Sequence, residues 1–210
     1  MKTVRATILK RYTHLPALLS VLQERQLTVL SPSTWEDKND RVFMEAYGRK
    51  KSLSTVLGLC FSQAAETFHH WKVFAPGPSG ACIQFQKFRL LEAVPKSGFT
   101  HRRVTYKKPA TLLGSYATAS ELPFIKNWAY RDEKEYRIVY SSASEELPVK
   151  TFPFQLAVIR DVVLNPWLPS ALFEATRQAI LQIPGCSGLA VTQSKVVDNE
   201  HWQRYANEDA

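Results

Sequence analysis

Short, nearly continuous apolar runs alternate along the chain with a few stretches in which apolar residues return every three or four positions. The runs are rich in β-branched and aromatic residues, which is typical of strands. Residues 53–63 are apolar almost throughout, as in a strand covered on both faces. The predicted strands are 4–12, 27–32, 53–63, 79–86, 102–108, 134–140, 154–166 and 188–196.

Helical spacing is clearest in two segments. Leucines between positions 15 and 22 fall on one face of a helix predicted over 13–26, with Thr13 as its cap. A second apolar stripe runs through 168–183 and stops at Pro184-Gly185. The other expectations are a loop leading into a short helix in 33–48, a short helix in 66–77, a helix or a strand at 88–94, partial helix in 110–127, and a polar tail at 198–210 that frays.

The order of these elements indicates the fold class. Strands outnumber helices and do not alternate strictly with them, which disfavours a doubly wound parallel sheet. We therefore predict an α+β fold with a mixed, largely antiparallel sheet and flanking helices. We expect one domain over 1–210, because 210 residues suffice for one sizeable core and the sequence contains no repeat or low-complexity linker.

The stretch WAYRDEKEYRIVY, from Trp128 to Tyr140, carries the densest candidate chemistry. Its second half alternates as a strand does, so Glu133, Glu135 and Arg137 are expected to share one face. Such a face is either a solvated sheet surface with cross-strand charge pairs or the floor of an active site, where carboxylates stabilise a developing cation or bind a sugar hydroxyl. We expect this face to line a pocket.

Isolated side chains elsewhere have both a functional and a structural interpretation. Ser62 ends a buried strand, where its hydroxyl either fixes a ligand or simply closes the strand. Trp71 either stacks on a base or nicotinamide ring or anchors the core, and the neighbouring His69 and His70 are candidates for phosphate contact or acid–base work. Arg11, at the end of the first strand, either holds a phosphate or lies at the surface.

The composition indicates an anionic partner but does not identify which kind. A formal net charge of +8 attracts nucleic acid, nucleotide phosphates or anionic membranes, and the densest basic run is HRRVTYKK at 101–108. Three widely spaced cysteines without a CxxC pair disfavour a disulfide framework or a zinc site and fit a reducing cytoplasm. Neither a signal-peptide core nor a membrane-length apolar run occurs, so we expect a cytoplasmic protein with no membrane partner.

The signatures of several enzyme classes are absent. GxxxxGK[ST], GxGxxG, HExxH and GxSxG do not occur, which disfavours P-loop NTPases, Rossmann enzymes, zincins and α/β-hydrolases.

The order of several motifs resembles the bacterial domain-of-unknown-function family 2971. The motifs are a tyrosine-bearing first strand and Leu-rich helix, Asn39-Asp40, the Cys-x-Ser of Cys60 and Ser62, Trp71, GACI at 80–83, Trp128, and EKEYR at 133–137. The resemblance spans about residues 8–194. The sequence departs from the family in Arg41, where Pro is common, and in Phe74, where Tyr is frequent, which puts the roles of those positions in doubt.

The same layout is similar in outline to ADP-ribosyltransferases, which cleave the nicotinamide–ribose bond of NAD. The similarity implies that Glu135 stabilises the sugar cation, Glu133 positions the acceptor and Ser62 orients the ribose or the glutamate. The residues that it implies for dinucleotide binding are Arg11, Tyr12, Trp71 and Arg137. NAD would be the substrate, no metal would be needed, and the acceptor would be a nucleic acid or a protein. A role as a toxin or phage-defence effector is a hypothesis that rests on this chemistry.

Two alternatives remain open from sequence. In the first, the chain is a basic, non-catalytic domain that contacts nucleic acid through 101–108, and the EKEYR charges form a structural network. In the second it is a metal-dependent nuclease that uses Asp37, Asp40, Glu133 or Glu135, which requires those carboxylates to converge. Glu36, Asp37 and Asp40 stand in a loop before a predicted helix, where acidic residues more often cap the helix. The sequence does not indicate an oligomeric state.

Overall fold

The computed structural model describes residues 7–112 and 116–207. The first three residues of the strand predicted at 4–12, part of the segment 110–127 and the last residues of the tail lie outside these ranges. Within the described residues the strands are β1 Ile8–His14, β2 Gln26–Leu30, β3 Thr55–Ser62, β4 Gly80–Gln86, β5 Phe99–Arg103, β6 Thr105–Lys107, β7 Ile125–Asn127, β8 Glu135–Ser142, β9 Val149–Pro153, β10 Ile159–Leu164 and β11 Val191–Gln193.

Both α-helices and short 3₁₀ helices connect these strands. The α-helices in the described ranges are α1 Leu15–Glu24, α2 Lys38–Lys51, α3 Phe68–Phe74, α4 Lys87–Ala93, α5 Ser170–Leu181 and α6 Glu200–Asn207. Short 3₁₀ helices occur at Pro32–Thr34, Pro109–Thr111, Ala119–Phe124, Trp128–Glu133 and Leu156–Val158. No helix in 7–112 or 116–207 has both the length and the apolar character that crossing a membrane requires.

The chain groups into two compact units, each discontinuous in sequence. The first unit contains residues up to Leu9, Gln26–Ala64 and Lys87–Gln155, and the second contains Lys10–Arg25, Ala65–Gln86 and the chain from Leu156 onward. Strand β1 therefore begins in one unit and ends in the other. The expectation of one domain over 1–210 stays a prediction.

The first unit is built around β8. This strand pairs antiparallel with β3 on one side and with β5 on the other, and its first six residues are all buried. Strand β2 pairs antiparallel with β3 and with β9, while β6 and β7 form a small parallel pair. The register sets Ser62 opposite Glu135 and Cys60 opposite Arg137, so polar side chains enter the centre of the sheet.

The second unit has its own strands and core. Strand β10 pairs antiparallel with β4 and parallel with β11. Leu18 and Leu22 of α1 and Ile83 of β4 are fully buried in this unit. With its helices and its mostly antiparallel pairing, the structure confirms the predicted α+β class with a mixed sheet.

Several predicted elements differ from those in the structure. The cap of α1 is His14 rather than Thr13: the His14 Nδ1 accepts a hydrogen bond from the Ala17 N–H at 3.3 Å. The strand predicted at 102–108 is divided into β5 and β6. Strand β9, which ends at a proline, was missed, and residues 200–207 of the tail form α6 rather than fraying.

Gly58 of β3 supplies a test of the packing in the first unit. A Cβ at this position would lie 2.7 Å from Trp35 Cζ2 and 2.9 Å from its Cη2, so Gly58→Ala forces the indole to move. We expect Gly58→Ala to lower the free energy of unfolding by about 1–3 kcal/mol, as measured by urea denaturation, because overpacking strains the core. Gly188→Ala is the control, since a Cβ there meets no atom within 4 Å. Equal stability of the two variants would contradict the packing described for Trp35.

Candidate active site

The turn before β8 separates the two glutamates of the EKEYR motif. The 3₁₀ helix Trp128–Glu133 ends at Lys134, which has φ +44°, and β8 begins at Glu135. The prediction that Glu133 lies on the strand face is therefore wrong, because the left-handed residue turns the chain between the two carboxylates. The Gln63 N–H donates to the Lys134 carbonyl at 3.1 Å, which ties this turn to the end of β3.

Arg137 is the centre of a buried charge network. Its side chain is 0% exposed, and its guanidinium donates to both Asp40 oxygens at 2.9 and 2.8 Å and from Nε to Glu135 Oε1 at 2.8 Å. It also donates to the Pro123 carbonyl at 2.8 Å, and the Trp35 ring lies 4.8 Å from its Cζ. A solvated face is excluded for Arg137 and Glu135, since both are buried. These partners engage the guanidinium on several sides, and the predicted contact of Arg137 with a dinucleotide stays a prediction.

Lys126 of β7 joins the two glutamates. Its Nζ lies 2.7 Å from Glu133 Oε2, 3.2 Å from Glu135 Oε2 and 4.0 Å from Asp40 Oδ2. The side chains of Lys126 and Glu133 are 11% and 15% exposed, against 4% for Glu135. Glu133 and Lys126 therefore form the edge of the cluster nearest to solvent, and Glu135 lies beneath them.

The two glutamates have opposite electrostatic environments. Burial by itself would raise the pKa of Glu135, but the charges of Arg137 and Lys126 outweigh it and lower the pKa from 4.5 to about 2. Burial raises the pKa of Glu133 although Lys126 opposes the shift. Burial would also lower the pKa of Lys126, but Glu135 and Glu133 outweigh it and raise that pKa. The pKa values of the two carboxylates are therefore displaced in opposite directions, downward for Glu135 and upward for Glu133.

Ser62 and Tyr106 hold the backbone around the glutamates. The Ser62 hydroxyl donates to the Glu133 carbonyl at 2.7 Å and accepts from the Ala64 N–H at 3.1 Å. The Glu135 N–H donates to the Tyr106 Oη at 2.7 Å, and burial raises the pKa of Tyr106. Ser62 thus lies beside the predicted catalytic pair and bonds to the backbone of Glu133; its predicted role toward ribose stays a prediction.

Three other predicted site residues belong to the second unit. Trp71 is completely buried, donates from Nε1 to Glu66 Oε1 at 2.5 Å and packs edge-on against Tyr12 at 5.3 Å between ring centroids. Burial raises the pKa of Tyr12, whose ring also stacks on His70. These contacts fit the core-anchor interpretation of Trp71. The binding roles of Arg11, Tyr12 and Trp71 stay predictions.

The acidic residues considered for a nuclease act as a helix cap or as partners of cations. Asp37 caps α2, accepting from the Asn39 N–H at 3.0 Å, as the capping alternative predicted. Asp40, Glu133 and Glu135 converge, but they do so on the Lys126 ammonium. Within residues 7–112 and 116–207, no group of three or more His, Cys, Asp or Glu side chains is arranged to hold a metal ion.

Sequence reasoning missed Lys126, Tyr106 and the Pro123 carbonyl. Lys126 lies in the segment 110–127, whose pattern was ambiguous, and a lysine there carries no motif. Tyr106 lies in the basic run at 101–108, and its residue type there gives no sign of a contact with Glu135. Asp40 is a metal-ligand candidate from sequence, and in the structure both of its carboxylate oxygens accept hydrogen bonds from Arg137.

Comparisons with known proteins identify no family. No family model matches the chain, and no curated protein matches it. Among solved structures it is similar to Thermus sp. 2.9 DarT in complex with NAD+, at 13% identity and a TM-score of 0.49, over 91% of this chain and 96% of that one. The complex of that protein with ADP-ribosylated ssDNA gives 13% identity and a TM-score of 0.47, over 90% and 95% of the two chains.

The complex of the same Thermus protein with carba-NAD+ gives 12% identity and a TM-score of 0.46, over 91% of this chain and 97% of that chain. At these scores and identities the likeness carries no information about chemistry, which depends on the site residues themselves. The resemblance to family 2971 is not confirmed by any family model.

Because of this network, replacing the buried Arg137 should destabilise the protein far more than replacing an exposed arginine. Arg137→Met leaves Asp40 and Glu135 buried without their guanidinium, so we expect the free energy of unfolding to fall by about 3–5 kcal/mol. Arg49→Met is the control, because its pair with Glu45 is exposed and such pairs contribute at most about 1 kcal/mol. Urea denaturation measures both, and an Arg137→Met protein as stable as the control variant would contradict the network.

The lowered pKa of Glu135 also predicts a pH dependence. A carboxylate with a lowered folded-state pKa stabilises the fold above its ordinary pKa, and that contribution is lost as pH falls towards about 2. We expect Glu135→Gln to be strongly destabilising at neutral pH and progressively less so below about pH 4. Urea denaturation across this range, with exposed Glu146→Gln as control, measures the difference. A destabilisation that does not change with pH would contradict the assignment.

Proposed function

We propose that this chain cleaves the nicotinamide–ribose bond of NAD and transfers ADP-ribose to an acceptor, or to water as a glycohydrolase. The observation that carries the proposal is the adjacency of Glu135 and Glu133, two carboxylates bridged by one ammonium, with pKa values displaced in opposite directions. Glycosyl transfer needs one carboxylate that stays ionised and one that moves a proton.

Glu135 is suited to stabilise the sugar cation. Its carboxylate is ionised and buried at the start of a central strand, where charge is poorly screened and the backbone is fixed by β3 and β5. As the bond between ribose C1′ and the nicotinamide nitrogen breaks, its electron pair passes to the ring and neutralises it. Positive charge then develops on the ribose, and an adjacent carboxylate lowers the energy of that state.

Glu133 is suited to receive the proton of the acceptor. Its raised pKa makes it a stronger base than an ordinary surface glutamate, and it lies at the more exposed edge of the cluster. When a hydroxyl, a ring nitrogen or water attacks C1′, the new bond forms from its lone pair. The proton released by that nucleophile passes to the Glu133 carboxylate, which completes the transfer.

Surface features near the turn favour a nucleic acid as the acceptor. Trp128 is 41% exposed, and its ring lies 5.4 Å from Lys108 Nζ and 5.2 Å from Arg131 Cζ. An aromatic ring flanked by cations suits the stacking of an unpaired base and the binding of its phosphates. The net charge of +8 supports the same class of partner.

A non-catalytic nucleic-acid-binding domain is the second candidate. It is favoured by the observation that Glu135 is already paired with both Arg137 and Lys126, as a purely structural carboxylate would be. In that case the charged cluster only holds the fold, and the basic surface alone performs the function.

Release of nicotinamide separates the two candidates. We expect purified protein mixed with NAD and single-stranded nucleic acid to release nicotinamide. Glu135→Gln, assayed at a temperature at which the variant is still folded, should reduce the rate by about 100-fold or more, since removing one such electrostatic group has effects of that size. Chromatography of free nicotinamide is the measurement. Glu146→Gln is the matched control at an exposed glutamate and should retain the wild-type rate.

The proposal would be abandoned if wild-type protein released no nicotinamide with nucleic acid present and NAD did not raise its melting temperature. Salt-sensitive binding of nucleic acid by that inactive protein would then support the binding domain.

A further inference from the structure

Lys126 covers the two carboxylates that the proposed reaction uses. Its ammonium lies 2.7 Å from Glu133 Oε2 and 3.2 Å from Glu135 Oε2, in contact with both carboxylates that the proposed reaction uses. Arg137 bonds the other oxygen of Glu135, at 2.8 Å. Withdrawal of Lys126 would therefore open Glu135 Oε2 to a ribose hydroxyl.

The two cations of the cluster differ in how firmly they are held. Arg137 is fully buried and bonded to Asp40, Glu135 and the Pro123 carbonyl through its rigid guanidinium. Lys126 is partly exposed and extends a flexible stem from the three-residue strand β7. Its Nζ also lies 4.7 Å from the half-buried Tyr130 ring, which gives the ammonium a second favourable contact. Of the two, Lys126 is the cation that can move.

The charge balance of the cluster favours an exchange of cations. With all groups ionised, Asp40, Glu133 and Glu135 contribute −3 and Arg137 and Lys126 contribute +2, a net charge of −1. Withdrawal of Lys126 changes the net charge to −2. A ribosyl cation formed next to Glu135 restores the balance, while the released ammonium attracts the phosphates of a dinucleotide.

We propose that Lys126 is a displaceable internal cation that caps the Glu133–Glu135 pair in the free protein and turns to the substrate's phosphates when a dinucleotide binds. The inference rests on the proposed function. It makes Lys126 a specificity-determining residue, because substrates without phosphates cannot draw the cap away. Binding energy from a part of the substrate remote from the reacting bond is thereby used to uncover the carboxylates.

Nicotinamide riboside, which carries the same reacting bond but lacks the pyrophosphate, tests this exchange. We expect Lys126→Met to raise the ratio of kcat/KM for nicotinamide riboside to kcat/KM for NAD by about tenfold or more, through a higher kcat with the riboside and a higher KM for NAD. Lys150→Met, at a lysine that pairs with Glu145 outside the cluster, should leave the ratio unchanged. Equal losses with both substrates in Lys126→Met would overturn the proposal, because Lys126 would then be a fixed positioning residue.

A second measurement does not depend on catalysis. Lys126→Ala removes the stem and ammonium, and propylammonium supplies both, so we expect propylammonium chloride to raise the melting temperature of Lys126→Ala above its value in equal sodium chloride. Wild type should melt equally in the two salts. If Lys126→Ala does not fold in sodium chloride, recovery of a melting transition in propylammonium gives the same result.

The activity assay and the melting experiment test the proposed function and the displaceable cation separately. Absence of nicotinamide release from wild type and variants rejects the proposed function, and selective stabilisation of Lys126→Ala by propylammonium would still support a replaceable cation at this position. Equal melting of Lys126→Ala in both salts would reject the displaceable cation, whatever the enzyme activity.

Discussion

The burial of one guanidinium determines how the rest of the first unit is arranged. Arg137, the third residue of β8, projects into a region without solvent, where an unpaired charge would be strongly unfavourable. Its acceptors come from three elements: Glu135 from the same strand, Asp40 from α2, and the Pro123 carbonyl from the 3₁₀ helix before β7. The α-helix, the strand and the 3₁₀ helix must therefore meet at the guanidinium.

This arrangement gives chemically identical side chains different properties. Glu135 contacts two cations, and their charges lower its pKa and hold it ionised. At Glu133, two residues earlier in the chain, the effect of burial outweighs that of Lys126 and raises the pKa. The left-handed Lys134 between them lets both carboxylates reach the same ammonium although they lie on different elements. Because both carboxylates contact Lys126, its ammonium covers Glu133 and Glu135 in the free protein.

Sequence periodicity predicted the strands that surround the site more accurately than it predicted the site. The apolar run at 53–63 identifies β3 as a buried strand, and alternation identifies β8 and correctly places Glu135 and Arg137 on one face. Alternation failed at Glu133, since a lysine gives no sign of a positive φ. The partner Lys126 could not be found, because its role depends on a long-range contact. Trp71 was visible in the sequence, but whether an aromatic ring faces solvent or a core is decided by packing.

The central claim is that the two glutamates titrate on opposite sides of the ordinary glutamate pKa. Carbon-13 NMR of the side-chain carboxyl groups, assigned through Glu133→Gln and Glu135→Gln, measures both values directly in the folded protein. We predict that Glu135 titrates at a pKa of about 2, well below its usual 4.5, and that Glu133 titrates above the usual value. Titration of both carboxyl groups near the usual value, or of Glu135 above Glu133, would contradict it.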